Sequence, residues 1–154
     1  MVPASYLYYL ATHFKLSTVW YSMQLIEIFS YEVGYSSPLL SSTNRVSAPK
    51  MLLVYNFHNM FSQERLFLFT TGCSSSQSVK SISALFSNAN WLEREVSEMS
   101  GVSFFGKQDL RNLMLSYGDS STPLRKSIPS IGLKEIAFDA SNDMLVQTPV
   151  MVQI

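Results

Sequence analysis

Few side chains in this chain of 154 residues could carry out bond-making chemistry, and they are scattered. The single cysteine, Cys73, cannot form an internal disulfide or supply the several thiolates of a zinc or iron–sulfur site. The two histidines, His13 and His58, lie far apart, which is not the spacing of a metal-binding pair. The six glycines never form the GxGxxG turn of a dinucleotide-binding fold. These residue types therefore favour neither a metal site nor a dinucleotide site.

Serine is abundant, so a serine hydrolase that uses His13 or His58 with an acidic residue is one alternative. The chain contains no GxSxG nucleophile elbow, and a catalytic triad depends on geometry rather than on serine content. Turnover of general ester substrates that one serine substitution abolishes would be the sign of this class.

The composition describes about one domain with unusually little charge. The 11 basic and 11 acidic residues balance, which gives no electrostatic reason to propose nucleic acid or an anionic membrane surface as a partner. Only 14% of the residues are charged and 47% are apolar, whereas about a quarter are charged in a typical soluble domain. We interpret the shortage of charge as a sign that neighbouring proteins cover part of the surface.

The N-terminal region is apolar but does not predict a membrane span. Lys15 and Glu27 interrupt residues 1–31, and a spanning helix needs about 20 mostly apolar residues. We expect a buried or partner-facing helix there and, because the first arginine is Arg45, no transit peptide. A helix is predicted over Thr18–Val33 by an apolar stripe with spacings of four, three and three residues: Val19, Met23, Ile26 and Phe29.

The middle of the chain predicts a small sheet. Met51–Phe57 and Arg65–Thr71 are apolar runs that a short connection would join as an antiparallel pair. Lys134–Asp139 alternates polar and apolar residues and predicts a third strand, whereas Val79–Phe86 predicts a short helix. The predicted helix stop and connections are Gly34, the Ser/Pro-rich residues 35–50, and Gly72 with the CSSSQ tract.

Helices and strands mix without a regular β–α–β rhythm, which predicts an α+β domain with a small mixed sheet packed with helices. We expect one domain over residues 1–140. An extended C-terminal tail is expected over residues 141–154.

Charged residues are concentrated between Asn90 and Lys126 in a chain that otherwise avoids them. Asn90, with Glu93 three residues later, predicts the start of a helix that Gly101 ends. The predicted apolar stripe is Leu92, Val96 and Met99, with Glu93, Arg94, Glu95 and Glu98 on the other faces. The simplest alternative is a surface helix with solvated charges, whose exposed pairs each contribute only about 0.3–0.5 kcal/mol.

The residues after this helix predict a turn and then an extended segment. Lys107–Arg111 follows Gly106 and is expected to form a turn. Pro123 and Pro129 restrict the basic residues between them towards an extended conformation. Such a segment buries little of itself, so it would be either disordered or held by a neighbouring protein.

The order of these residues resembles a known family. ANWLEREV, MSGV, DLR and YG followed by PLRK, within Ala89–Pro129, look like the signature of the 30-kDa subunit of respiratory complex I, NADH:ubiquinone oxidoreductase. That family is called the C subunit in bacteria and NADH dehydrogenase subunit 9 where mitochondria encode it. Weaker similarity extends to MLLVYNF, RLFLFTT and GLKEIAFD. Glu98 stands where the family usually has aspartate, and Lys107-Gln108 where it has His-Pro.

The resemblance implies a non-catalytic core subunit of the hydrophilic arm, packed against the 49-kDa subunit near the terminal iron–sulfur relay and the quinone site. It implies that this chain binds no cofactor, and that FMN, the iron–sulfur clusters, NADH and ubiquinone belong to the complex as a whole. The expected partner-interface residues are Trp91, Glu93, Arg94, Glu95, Asp109, Arg111, Tyr117, Arg125 and Lys126. The residues expected to shape the segment are Gly101, Gly118, Pro123 and Pro129.

The resemblance also implies a location on the matrix side of the mitochondrial inner membrane, with the cytoplasmic face of a bacterial plasma membrane as the alternative. The alternative function is an autonomous assembly or interaction module that uses the same helix and basic segment for another partner. A stable stoichiometric place in an NADH-oxidising complex would distinguish the complex I role from such a module.

Overall fold

The computed structural model describes residues 1–20, 22–33, 50–72 and 78–151. Its helices are α1 (Ala4–Leu16) and α2 (Ala89–Ser100). Its strands are β1 (Met23–Val33), β2 (Lys50–Asn59), β3 (Arg65–Gly72), β4 (Val79–Lys80), β5 (Phe104–Phe105), β6 (Lys134–Asp139) and β7 (Met144–Pro149). The predictions for Gly34, residues 35–49 and the CSSSQ tract lie outside the described residues. Within the described ranges, neither helix has both the length and the apolarity to cross a bilayer.

The described strands form three sheets rather than one. β1, β2 and β3 are antiparallel in that order, β4 pairs with β5 in parallel, and β6 and β7 form an antiparallel hairpin. The α+β class and the antiparallel pairing of β2 with β3 are confirmed. The predicted strand over Lys134–Asp139 is also present, but it pairs with β7 rather than with β2 or β3. The division into a domain and a tail at residue 140 stays a prediction.

The predicted helix over Thr18–Val33 is wrong, because most of this stretch forms β1. Ten residues of β1 pair with β2, and a β-bulge between Leu25 and Glu27 shifts the alternation of inward and outward side chains. The shift places the buried residues Leu25 and Ile28 three apart, a spacing that resembles helical periodicity. Two members of the predicted helical stripe, Ile26 and Phe29, are exposed.

The predicted short helix over Val79–Phe86 is also wrong. The Val79 N–H donates to the Ser103 carbonyl at 3.0 Å, and the Ser81 N–H donates to the Phe105 carbonyl at 2.9 Å. These bonds engage the backbone in pairing with β5 before a helix can begin. The apolar residues Val79, Ile82 and Phe86 are buried, but they belong to β4 and to the turn that follows it.

The core lies between the helices and one face of the three-stranded sheet. The helix expected within residues 1–31 is present only over the residues of α1, whose buried side chains are Leu7, Ala11 and Phe14. Because β2 is the central strand, its apolar run Met51–Phe57 is buried throughout. The Phe57 ring makes edge-to-face contacts with the rings of Phe14 and Phe86, with centroids 5.5 Å apart in each pair. These contacts join α1, β2 and the turn that precedes α2.

Candidate docking site

Helix α2 carries the first part of the charged segment and is anchored at both ends. It begins at Ala89 with Asn88 at the N-cap position, so the predicted start at Asn90 is wrong, and Glu93 is buried in the interior. The Asn88 side-chain amide donates to the Leu25 carbonyl of β1. The helix ends at Gly101 as predicted, with a φ of 69° in the left-handed region that glycine adopts at helix C-termini.

Glu93 is fully buried, and its carboxylate is the centre of a polar network. It accepts hydrogen bonds from the Ser81 hydroxyl at 2.6 Å and from the Ile82 N–H at 2.8 Å. Lys107 Nζ donates to Glu93 Oε2 at 3.2 Å and to the Asn90 carbonyl at 2.7 Å. Both charges lie away from solvent and each is paired, which is the condition for burying them. The network ties α2 to the segments that flank β4 and β5.

Arg94, only 9% exposed, fixes the next segment of the chain to α2. Its Nε donates to the Arg111 carbonyl at 2.8 Å, and its Nη2 donates to the Asn112 carbonyl at 3.1 Å. Nη1 lies 3.6 Å from Asp109 Oδ2. Because a guanidinium is planar and offers several donors in fixed directions, it can hold consecutive carbonyls in one geometry.

Glu98 lies one turn further along α2 and binds the same segment, the loop of residues 109–115. Its carboxylate accepts hydrogen bonds from the N–H groups of Leu113 at 2.6 Å, Met114 at 3.1 Å, and Leu115. Hydrogen bonds to an ionised carboxylate are stronger than those between neutral groups. Arg94 therefore binds the carbonyl groups of residues 111 and 112, and Glu98 binds the N–H groups of the next three residues of the loop.

We expect this loop to open in acid. Burial acts to raise the pKa of Glu98, but the three backbone N–H donors, helped by Arg94, outweigh it and lower the pKa. Because the folded pKa is depressed, the stabilisation is complete above the ordinary value of about 4.3 and is lost as the pH falls through the folded pKa. Amide ¹H–¹⁵N spectra should show the signals of residues 113–115 moving together over that window.

The matched variants are Glu98→Gln and Glu95→Gln. Glu98→Gln should give the open-loop signals at neutral pH, with a loss of about 1–3 kcal/mol in the free energy of loop opening. Glu95, on the same helix, accepts no hydrogen bond from this loop, and Glu95→Gln should keep the closed-loop signals. Closed-loop signals for Glu98→Gln at neutral pH would contradict this role.

The basic segment forms consecutive turns, so the predicted extended conformation between Pro123 and Pro129 is wrong. The Arg125 N–H donates to the Thr122 carbonyl and the Ile128 N–H donates to the Arg125 carbonyl, both at 3.0 Å. Pro123 takes the second position of the first turn, where its fixed φ favours turn formation. The proline restriction therefore supports a turn here.

The Arg125 side chain returns to the C-terminus of α2. Its Nε donates to the Ser100 carbonyl at 2.9 Å and its Nη2 to the Gly101 carbonyl at 3.2 Å. Carbonyls at a helix C-terminus lack helical partners and carry the negative end of the dipole, so a guanidinium is favourable there. The next residue, Lys126, donates its N–H to the Glu32 carboxylate at 2.8 Å. The basic segment is therefore held within the chain.

The structure divides the predicted interface residues between interior and surface. Glu93 and Arg94 are buried by the chain itself. The partly exposed members are Glu95, Asp109 and Arg125. The exposed members are Trp91, Arg111, Tyr117 and Lys126. Of the residues expected to shape the segment, Gly118, Pro123 and Pro129 lie in turns, and Gly101 lies at the end of α2. Assignment of this set to a partner interface stays a prediction.

The sequence patterns did not locate the apolar side chains that remain exposed over residues 105–151. These are Phe105, Leu110, Met114, Tyr117, Leu124, Ile131, Leu133, Ile136, Phe138, Met144, Leu145 and Met151. A two-stranded hairpin such as β6–β7 is only marginally stable alone in water, and exposed apolar surface commonly marks protein contacts. The low charge content was the one signal in the sequence that pointed to such a surface.

The cavity between α2 and the loop has a volume of about 180 Å³. Its lining side chains Arg94 and Glu98 are already bonded to loop backbone, so they serve the loop's conformation. No group of three or more His, Cys, Asp or Glu residues in the described ranges is placed to hold a metal ion.

Comparison with known families gives the context for this geometry. A model of the family described as the respiratory-chain NADH dehydrogenase 30-kDa subunit matches residues 4–133, from α1 to the residue before β6. The chain belongs to this family. The resemblance carried by the ANWLEREV and PLRK motifs is therefore confirmed.

Relatives in the 30-kDa family include proteins from ciliates and bacteria. The chain is 44% identical over 90 residues to NADH-ubiquinone oxidoreductase subunit 9 of Paramecium primaurelia, a match that covers 58% of this chain and 42% of the relative. It is 36% identical over 103 residues to the C subunit of NADH-quinone oxidoreductase from Ruegeria pomeroyi, covering 67% of this chain and 51% of the relative. The chain thus spans about half the length of these relatives.

A solved structure shares the fold of this 30-kDa family member. The trypsin-resistant fragment of Nqo5 superposes with a TM-score of 0.54 at 20% sequence identity. The superposition covers 71% of this chain and 79% of that fragment.

Proposed function

We propose that this chain is a non-catalytic core subunit of the hydrophilic arm of NADH:ubiquinone oxidoreductase, and that it docks to the 49-kDa subunit at the quinone site. The observation that carries the proposal is the family match over residues 4–133. The names of the relatives, NADH-ubiquinone and NADH-quinone oxidoreductase subunits, support it. In this role the chain supports electron transfer from NADH to ubiquinone by holding the quinone-site subunit in place.

The contacts of the charged segment support docking because they fix the conformation of this surface before a partner binds. Glu93, Arg94 and Glu98 bond to the chain's own backbone and side chains, which fixes the loop that follows α2. A surface that is already ordered loses less conformational freedom on binding. It presents Trp91 and Tyr117, and aromatic residues contribute much of the energy at protein interfaces.

The proposal assigns no prosthetic group to this chain. FMN, the iron–sulfur clusters and the sites for NADH and ubiquinone are assigned to other subunits of the complex. The proposed location is the matrix side of the mitochondrial inner membrane, supported by the subunit 9 relatives. The bacterial relatives make the cytoplasmic face of a bacterial plasma membrane the second candidate.

Arg125→Ala is expected to weaken assembly of the arm. The change removes two hydrogen bonds to the α2 C-terminus, which weakens the attachment of the basic segment that carries Lys126. A hydrogen bond from a charged donor typically contributes about 1.5–3 kcal/mol, and both of these bonds lie within the chain, so the effect on assembly is expected to come through the conformation of the segment. The measurement is the yield of intact enzyme after native gel separation, together with the redox potentials of its clusters.

Arg111→Ala is the matched control for the role of Arg125 within the chain. Arg111 is exposed, and its side chain pairs at 2.9 Å with Asp109, which is two residues earlier in the sequence. Arg111→Ala should leave the free energy of unfolding of the chain nearly unchanged, whereas Arg125→Ala should lower it. Normal assembly of the Arg125→Ala enzyme with shifted cluster potentials would contradict the proposed role.

A further inference from the structure

Tyr55 is a tyrosine of the central strand whose hydroxyl group lies in the apolar core. The side chain is fully buried, between the sheet and the helices. Among the described residues, Tyr55 Oη has no hydrogen-bond partner. Burying a hydroxyl group without a hydrogen bond destabilises a folded protein, so buried hydroxyl groups are nearly always bonded to protein or to ordered water. The position of Tyr55 therefore decides what kind of partner its hydroxyl group has.

Helix α2 runs along β1 in the same direction. Near the start of the helix, the Asn88 side chain donates to the Leu25 carbonyl, and at its end Ser100 Oγ accepts a hydrogen bond from the Ser30 hydroxyl at 2.6 Å. The face of α2 turned towards the sheet is marked by buried residues with spacings of four, three and four: Ala89, Glu93, Val96 and Ser100. Glu93 therefore faces the sheet between the two anchoring contacts.

Glu93 lies at the level of Tyr55. It follows Asn88 by five residues, about 7.5 Å along the helix, which matches the two-residue step on β2 from the partner of Leu25 to Tyr55. Tyr55 packs within the core, so its side chain points towards α2. Burial, and then the Glu93 carboxylate, raise the pKa of Tyr55, which keeps its hydroxyl group protonated and able to donate.

The Glu93 carboxylate has one acceptor position left. A carboxylate offers about four lone-pair positions, and donors from Ser81, Ile82 and Lys107 occupy three of them. Ser81 and Lys107 both bond to Oε2, so the remaining position is on Oε1. Within the described part of the chain, no direct bond joins this oxygen to Tyr55 Oη. A buried donor and a buried acceptor therefore face each other without a direct bond.

We propose that one water molecule binds between Tyr55 and Glu93, accepting a hydrogen bond from Tyr55 Oη and donating one to Glu93 Oε1. Buried water molecules typically bond to polar groups that the protein itself does not satisfy, and each makes two to four hydrogen bonds. The bound water joins the central strand of the sheet to the network of Glu93 and Lys107. The site lies within the folded chain, so its tests do not depend on the docking partner.

The first test counts the long-lived buried water molecules of the full chain by ¹⁷O magnetic relaxation dispersion of the solvent. The Tyr55→Phe chain should hold one such molecule fewer than the wild type, because a phenyl ring offers the water no donor. Tyr117→Phe is the control, since Tyr117 is exposed, and it should give the wild-type count. Equal counts for Tyr55→Phe and the wild type would overturn the proposal.

The second test uses the sign of a stability change in urea unfolding. Tyr55→Phe should lower the folding equilibrium constant by about twofold to tenfold, because the hydrogen bond to the water is lost. If the hydroxyl group had no partner at all, the same change would raise the constant by removing an unpaired buried polar group. Tyr117→Phe corrects for the general effect of removing a tyrosine hydroxyl group. An unchanged or raised constant for Tyr55→Phe after that correction shows that no water binds there.

Discussion

Glu93→Ala is expected to destabilise the folded chain by about 3–5 kcal/mol, because it leaves the Lys107 ammonium buried without a counter-charge. The change also removes the acceptor for the Ser81 hydroxyl and the Ile82 N–H, which are bonded at 2.6 and 2.8 Å. The Lys107 side chain is 1% exposed, so water cannot replace the lost carboxylate without opening the structure. Urea unfolding followed by tryptophan fluorescence measures the change.

Two further variants test whether the buried charge is the cause. Glu95→Ala removes a half-exposed carboxylate two residues along the same helix and should change the free energy of unfolding by less than about 0.5 kcal/mol. Glu93→Ala combined with Lys107→Met leaves no buried charge and should recover part of the lost stability. A loss for Glu93→Ala no larger than that for Glu95→Ala would contradict this account of the network.

Phe57→Ala should cost about 3–5 kcal/mol through lost burial and the cavity left behind. Phe57 is fully buried, and its ring contacts Phe14 of α1 and Phe86 of the turn before α2. The change therefore loosens the attachment of both helical regions to β2. Loss of stability and weaker hydrogen-exchange protection in α1 are the expected measurements.

Phe138→Ala provides the control for this prediction. Phe138 is 61% exposed on the β6–β7 hairpin, so its truncation should change the stability of the isolated chain by less than about 0.5 kcal/mol. If Phe57→Ala destabilised the chain no more than Phe138→Ala, the aromatic contacts would not be the link between α1 and β2.

The sequence predicted β2 and β3 correctly because a central strand is apolar along its whole length and its neighbour follows after a short connection. It failed at β1 for a local reason: the bulge between Leu25 and Glu27 interrupts the two-residue alternation on which strand prediction depends. It failed at Val79–Phe86 for a long-range reason. That segment pairs with β5, more than 20 residues later, and local periodicity cannot contain this information.

The candidate site shows the same division between local and long-range information. The helix over residues 89–100 and its glycine stop were predictable from spacing. The burial of Glu93 was not, since it depends on Ser81 before the helix and Lys107 after it, which meet only in the folded chain. The contacts of Arg125 were not predictable either, because its acceptors are carbonyls at the C-terminus of α2, 25 residues earlier in the chain. The motif order identified the family even though the roles of its charged residues were not visible.

Crosslinking and mass spectrometry on the NADH-oxidising enzyme purified from cells that express this chain test the central claim most directly. Lys126 is the reporter, because it is exposed at the end of the segment that Arg125 fixes to α2. We predict that Lys126 crosslinks to the 49-kDa subunit, with this chain present in equal amount to that subunit. Crosslinks only to proteins outside the enzyme, or a chain absent from the purified NADH-oxidising complex, would contradict the account.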